Sequence, residues 1–472
     1  MDANEYEKLK ENIKILEERI VFLDKLNKQL VDQNKELLKE NDKKAELLAF
    51  LPEDSKKQFD LRGSSATLRY NMVTVLYSDV KGFAQLTETQ DAQALIDELD
   101  DFFFKFDETV EKNNIEKIKS IGDTYICAGG IPRKNRTNPI EVIKAAFEMK
   151  LYLEKLQDDN KKDNKNIWGL TFGLHTGPVV ATVSGKKKKS YDIKGDTVNI
   201  ASRIEATSQP GELNISQMTY EFVKGFFTCQ YKSKLPIKYK GDIPIYSVVG
   251  YRPELSVDGN GIVPNEMFNT KLQTIKFEDL NDYVLDRLER ELPKHLYYHD
   301  LKHTIDVVIG VEIIGSGEGV TEQEMLLLKT AALFHDFGQT IQSAGHENIS
   351  CNIARKILPD YGYTAEQIET IEGIIMATQL PPNPQTLLQK IICDADLDYL
   401  GRADFIPVSD TLHRELKVQG IIGSLKSWNV MQVKFLSAHQ FFTDTAKNMR
   451  RVNKFSQIER LKKLIEEDDS PL

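Results

Sequence analysis

Tyr77-Ser78-Asp79-Val80-Lys81-Gly82-Phe83, read with Lys119-Ser120-Ile121-Gly122-Asp123, decides how the middle of this 472-residue chain folds. Each segment closes an apolar, β-branched run and places an aspartate where a strand gives way to a turn. Two carboxylates brought together in this way can share a pair of divalent metal ions, and such a pair can drive phosphoryl chemistry on a nucleotide.

Around these two segments, residues 71–250 alternate strand and helix. Met72 to Tyr77 reads as a buried strand, and Ala92 to Val110 as an amphipathic helix with Leu95, Leu99, Phe102, Phe103 and Phe106 inward. Ile115 to Ile121 and Thr124 to Ala128 read as strands joined at Gly122-Asp123, and helical spacing returns at Pro139 to Leu156. Strands at Leu170 to His175 and Val179 to Ser184 flank Thr176-Gly177-Pro178, read as a turn. A helix over Thr197 to Ala206 follows, then shorter elements ending in strands near 228–239 and 244–250. Interleaved strands and helices predict an α/β layer structure.

Upstream, Leu9, Leu16, Leu23, Leu30 and Leu37 recur every seven residues, with Ile13, Ile20, Asn27, Asn34 and Asn41 four after each. Leucine at d, with isoleucine and then asparagine at a, predicts a parallel, in-register dimeric coiled coil over 1–52, closed by Pro52. Residues 53–70 read as a polar connector, and 251–274, with Pro253, Gly259, Gly261 and Pro264, as a linker. From 275 to 465 strand signals vanish and long helical runs predict an all-α unit.

Composition narrows the function classes. A hydrophobic content of 40% and a charged content of 28% are globular values, and the length suits two or three domains. The formal charge of −10 argues against nucleic acid as the main partner. No apolar run is long enough to span a bilayer, and the acidic N-terminus is no signal peptide. The four scattered cysteines fit a reducing compartment, so the expected location is cytoplasmic.

Asn199 and Arg203 lie four apart and project from one helix face, where an Arg can neutralise charge on a transferring phosphorus and an Asn can orient a ribose. Lys238 and Lys240 alternate on an expected strand, suited to terminal phosphates, and the Val80–Phe83 turn, with Gly82, offers backbone N–H groups to phosphate. Tyr77–Phe83, Glu116–Asp123 and Tyr191-Asp-Ile-Lys-Gly-Asp-Thr-Val-Asn-Ile-Ala-Ser-Arg203 together resemble the class III adenylyl and guanylyl cyclases in motif, order and spacing.

The resemblance implies an α+β, ferredoxin-like cyclase domain over 71–250 that works as a homodimer. Asp79, Asp123 and the Val80 carbonyl would hold two divalent ions, Mg²⁺ or Mn²⁺. Lys119 and Asp192 would read the base, with Gly82 and Phe83 at the phosphates. Asn199 and Arg203 would come from the other subunit, and Lys238, or alternatively Lys240, would hold the triphosphate. Adenine offers an acceptor at N1 and a donor at N6; Lys119 only donates and ionised Asp192 only accepts, so the expected substrate is ATP and the product cyclic AMP.

Seven of the eight histidines fall between 295 and 439. His299-Asp-Leu-Lys-His303 reads as two imidazoles four apart on a helix, His335-Asp336 follows an apolar helix, and Asp394-Ala-Asp396 follows Ile391-Ile392. Such a set on separate helices converges readily on a divalent metal. It resembles the HD-domain phosphohydrolases, which include cyclic-nucleotide phosphodiesterases. That likeness implies His303, His335, Asp336 and Asp396 as metal ligands, with Asp394 the alternative fourth. His299 is implied as general acid, and His346 as a substrate or second-metal contact. The expected activity of 275–465 is hydrolysis of cyclic AMP or another phosphoester. The competing arrangement makes this domain the principal enzyme and the cyclase fold its nucleotide sensor or dimer scaffold.

Overall fold

The computed structural model describes residues 65–81, 83, 92–162, 169–184, 190–237 and 240–468. The heptads of 1–52, and with them the coiled coil, lie outside the described residues, as do Gly82 and Lys238. Packing divides the chain into two units. The first comprises the chain up to Lys134 with Glu141–Thr219 and Ser233–Ile245, and the second comprises Asn135–Ile140, Tyr220–Lys232 and Tyr246 onward.

The strand β1 (Ser65–Lys81) organises the first unit. It begins earlier than its apolar run suggests, inside the stretch read as connector, because Leu68 and Tyr70 alternate inward beside Val73 and Val75 and extend the same core. β1 pairs antiparallel on one side with β3 (Thr124–Gly129) and on the other with β4 (Gly169–Ser184). β2 (Glu116–Ile121) flanks β3, β5 (Ser190–Lys194) pairs with the end of β4, and β6 (Leu213–Ser216) runs parallel to its start. With β7 (Phe227–Ile237) and β8 (Gly241–Tyr251) the strand order is β2-β3-β1-β4-β6-β8-β7.

Thr176-Gly177-Pro178 is no turn; β4 runs straight through it. The reason lies in the facing strand, which bulges between Tyr70 and Val73 so that the register slips opposite Pro178. A proline, lacking an N–H, fits a sheet where a bulge interrupts the ladder.

Helix α1 (Ala92–Lys112) buries Leu95, Leu99, Phe102, Phe103 and Phe106, and Phe103 and Phe106 each lie 5.4 Å from the Tyr125 ring. Helix α2 (Asn138–Lys162) follows, and helix α3 (Asp196–Ala206) packs Ile200, Ala201, Ile204 and Glu205 inward. Gly173 of β4 lets α3 approach: a Cβ there would lie 2.1 Å from the Glu205 nitrogen and 2.5 Å from the Ala201 oxygen. A short helix α4 (Gln217–Val223) leads into β7.

Every described element from Glu266 onward is helical. Helix α5 (Glu266–Glu291) starts within the stretch read as linker, with Asn265 accepting from the Phe268 N–H as its cap. Helices α6 (Leu301–Glu318), α7 (Glu322–Phe334), α8 (His346–Ile357), α9 (Ala365–Met376) and α10 (Leu387–Asp396) share one core, including Val307, Val311, Leu328, Ala331, Ile371, Ile391 and Ile392. Thr321 and Thr386 start α7 and α10 with reciprocal capping boxes. Helices α11 (Phe405–Val418), α12 (Leu425–Ala438) and α13 (Asp444–Asp468) complete the unit. Among the described residues no helix is long and apolar enough to cross a membrane.

Candidate active sites

In the first unit, register brings the two aspartates together. Asp79 of β1 faces Thr124 of β3, and Asp123 sits in the two-residue turn before it, where Gly122 supplies φ +58°. The Val80 N–H donates to the Asp123 carbonyl at 3.1 Å and ties that turn to the end of β1. Val80 and Lys81 thus belong to the strand instead of the expected phosphate turn, and Phe83 follows it.

The Asp79 carboxylate is held at both oxygens: Thr124 Oγ1 donates to Oδ1 at 3.0 Å and Lys81 Nζ to Oδ2 at 2.7 Å. Lys81 reaches Glu205 of α3 as well, at 2.9 Å, and Thr171 Oγ1 donates to the same Glu205 oxygen at 2.6 Å. Burial and the neighbouring Asp79 charge raise the Asp123 carboxyl above its ordinary value. A divalent cation would relieve the repulsion that Asp123 meets from Asp79, and the donor set fits one.

Lys119 of β2 and Asp192 of β5 form an ion pair at 3.6 Å, both about half exposed. Asn199 and Arg203 are exposed on α3, while Glu205 points to Lys81. Residues two apart on a helix diverge by roughly 200°, so the Asn199–Arg203 face looks away from the Asp79 side of its own chain. Lys240 lies in the turn after β7, not on a strand, because β7 ends at Ile237; its ammonium pairs with Asp196 at 2.8 Å.

In the second unit four largely buried side chains converge. His303 Nε2 lies 3.2 Å from Asp396 Oδ1 and 3.4 Å from Asp336 Oδ2, and His335 Nε2 lies 3.3 Å from both Asp336 Oδ2 and His303 Nε2. His335 Nδ1–H donates to the Ala332 carbonyl at 2.7 Å, which leaves Nε2 as the ligating nitrogen. Burial opposes charge on both imidazoles, yet Asp336 and Asp396 outweigh it, holding His303 up at about 9 and His335 well above its ordinary value. The two-imidazole, two-carboxylate donor set fits a divalent ion, whose charge the two carboxylates would balance.

Asp394 is elsewhere. It is fully buried and accepts from the Phe442 N–H, the Thr443 N–H and Thr443 Oγ1 at 2.7–2.8 Å, so of the two aspartates only Asp396 faces the cluster. His299 precedes α6 instead of lying on it, because Asp300 caps the helix by accepting from the His303 N–H. Glu415 of α11 holds it there, accepting from His299 Nδ1 at 2.5 Å and from the Tyr298 and His299 N–H groups. His346 Nε2 lies 3.0 Å from the other Asp336 oxygen. Beside His303 and Asp396 a cavity of about 220 Å³ opens, walled by Tyr297, Tyr399, Lys302 and Arg402.

Sequence reading missed Lys81, Thr124, Thr171 and Glu205 in the first site and Glu415 in the second. Glu205 carried a faint signal, an acid inward on a helix whose opposite face holds Arg203; Glu415, 116 residues from His299, carried none.

Residues 66–250 match the family described as the Adenylate and Guanylate cyclase catalytic domain, and residues 300–398 match the HD domain. The chain is 32% identical to an adenylate cyclase of Mycobacterium tuberculosis over 182 residues, 39% of this chain and 40% of that protein. It is 33% identical to the receptor-type guanylate cyclase gcy-8 of Caenorhabditis elegans over 185 residues, 38% of this chain and 16% of that one. The crystal structure of the adenylyl cyclase CyaB from P. aeruginosa is 26% identical, covering 39% of this chain and 95% of its own, with a TM-score of 0.36. The chain thus spans less than half the length of these curated relatives. Two families meet in it: a cyclase catalytic domain of the adenylate and guanylate cyclase family at 66–250, followed by an HD domain at 300–398.

Proposed function

We propose that the chain is an adenylate cyclase that converts ATP to 3′,5′-cyclic AMP and pyrophosphate at a site shared by two copies. The observation that carries this reading is the Lys119–Asp192 pair at 3.6 Å, a donor beside an acceptor in the order adenine needs. Guanine would present the reverse pattern to the same two groups.

Divalent ions, Mg²⁺ or Mn²⁺, held by Asp79, Asp123 and the Val80 carbonyl would supply charge neutralisation and activation of the ribose 3′-hydroxyl. Thr124 fixes the rotamer of Asp79 for that task. Lys119 donates to adenine N1 and Asp192 accepts from N6. Asn199 orients the ribose and Arg203 neutralises charge on the α-phosphorus, both from the partner copy, since their face turns from the Asp79 side of their own chain. Lys238, or alternatively Lys240, which pairs with Asp196 of α3, holds the triphosphate in this reading. The heptads of 1–52 support a parallel dimer that would bring the two halves together.

For the HD domain we propose hydrolysis of a cyclic nucleotide phosphodiester, cyclic AMP foremost. A metal ion on His303, His335, Asp336 and Asp396 would supply a hydroxide nucleophile. His299, oriented by buried Glu415, which accepts from its Nδ1, would protonate the departing ribose oxygen. Asp336 offers one oxygen to the cluster and the other to His346, which suits a bridging carboxylate. Four unpaired cysteines support a reducing compartment, such as the cytoplasm, for both reactions.

The test is the product profile of the full chain with Mg²⁺ or Mn²⁺ and ATP, GTP or cyclic AMP. Cyclic AMP is expected from ATP and is lost in Asp79→Ala, while cyclic AMP turnover persists in Asp79→Ala and is lost in His335→Ala. Cyclic GMP as the main product would refute the base reading, and equal turnover in both variants would refute the HD reading.

A further inference from the structure

Lys81 is not among the residues that the cyclase reading needs, yet it occupies the oxygen that the reading gives to a metal. It lies two residues after Asp79 on β1, so both side chains project from the same strand face. Its ammonium bridges Asp79 Oδ2 at 2.7 Å and Glu205 Oε1 at 2.9 Å. Thr124 holds the other Asp79 oxygen, and Thr171 anchors the Glu205 oxygen from β4. The anchors are therefore fixed and the ammonium is the movable part: its side chain is 39% exposed, against 17% for Asp79 and 10% for Glu205.

We propose that Lys81 is a tethered counter-ion that competes with the divalent metal for Asp79 and withdraws onto Glu205 when the metal binds. The proposal rests on the two-metal cyclase reading. A dipositive ion outcompetes a monovalent ammonium at a shared carboxylate oxygen, and Glu205 keeps the displaced charge paired, so release leaves no bare ion in a half-buried site. Because Glu205 sits on α3 two residues after Arg203, filling the metal site tightens the Lys81–Glu205 pair on the helix that carries Asn199 and Arg203. Lys81 is thus a positioning residue that links metal loading to the helix offered to the partner copy.

This arrangement predicts effects of opposite sign. In Lys81→Met the competitor is gone, and Mn²⁺ should bind the Asp79 site about fivefold more tightly, the value of one exposed charge pair. In Glu205→Gln the resting place is gone, Lys81 stays on Asp79, and Mn²⁺ should bind about fivefold more weakly. Two independent charges acting through space would give those same signs, so the deciding measurement is the double variant. If Glu205 acts only by receiving Lys81, the double variant binds as Lys81→Met does.

The experiment is Mn²⁺ titration of the full chain by electron paramagnetic resonance, without nucleotide, for wild type, both single variants and the double variant. A thermal unfolding profile matching wild type checks that each protein is folded, and binding at the His303 cluster serves as the internal reference for Mn²⁺. The expected result is the opposite-signed pair with the double variant matching Lys81→Met. Weakening in both single variants, additive effects in the double variant, or no change in any would overturn the proposal. Asp79→Asn separates this failure from the larger one: if it retains the same Mn²⁺ binding as wild type, the metal reading of the cyclase site fails as well.

Discussion

Replacing Gly173 by alanine inserts one methyl group where β4 and α3 touch, and it should disable cyclisation far more than it unfolds the protein. The new Cβ would meet the Glu205 nitrogen at 2.1 Å, the Ala201 oxygen at 2.5 Å and the Glu205 Cα at 2.6 Å, all backbone atoms that no rotamer change can move. Ordinary contact begins near 3.4 Å, so α3 must retreat by up to about 1.3 Å (3.4 less 2.1). Overpacking of this kind costs about 1–3 kcal/mol. The same shift carries Asn199 and Arg203 with the helix and pulls Glu205 from Lys81, and misplacing a catalytic group by ~1 Å can cost about a hundredfold in rate. The assay is kcat for cyclic AMP formation alongside thermal unfolding, with phosphodiester hydrolysis at the HD site as a control. A Gly173→Ala protein with wild-type kcat would show that the position of α3 does not govern the chemistry.

Two further outcomes follow from particular residues. Asp394→Asn sets an amide N–H₂ against the donors of Phe442 and Thr443 and should destabilise the HD unit by roughly 2–3 kcal/mol with metal content intact; Asp396→Asn should lower bound metal and HD hydrolysis, and metal analysis of the two purified variants checks the contrast. Burial lowers His175 to about 4, with Lys240 adding to it, and His439 likewise to about 4 beside Lys454. The unfolded chain takes up these protons from pH 6.5 downward while the folded chain resists until about 4, so stability is full above 6.5 and falls as the pH drops through that window. Each contributes up to about 3 kcal/mol, and His175→Asn should flatten the acid-side decline in the melting temperature of the cyclase transition; an unchanged slope would show that His175 is not the proton acceptor.

Much of this architecture was legible in local patterns. The apolar run ending at Asp79, the Phe-rich period of α1 and the Gly122-Asp123 hairpin each draw on forces acting within a few residues. Where local reading failed over Pro178, a distant neighbour decided, because β1 bulges opposite it. His299 instead leaves α6 for a local reason, since Asp300 next to it caps the first turn. Lys240 drops into a turn because the β7 strand stops at Ile237. The pairs Lys81–Glu205 and His299–Glu415 span 124 and 116 residues, and no periodicity announces which acid meets which base across such a distance. Asp394 and Asp396 differ in the same way, since Thr443 donates to the first and His303 faces the second.

The central claim is that one copy supplies Asp79 and Asp123 while the other supplies Asn199 and Arg203. Mixing two inactive chains, Asp79→Ala and Arg203→Ala, tests it most directly, with cyclic AMP from Mn-ATP as the readout. If subunits exchange freely, half of the dimers are mixed and each holds one intact site of two, so the mixture should recover about a quarter of the wild-type rate. A mixture as silent as either variant alone, under conditions where labelled wild-type subunits do exchange, would contradict the shared site.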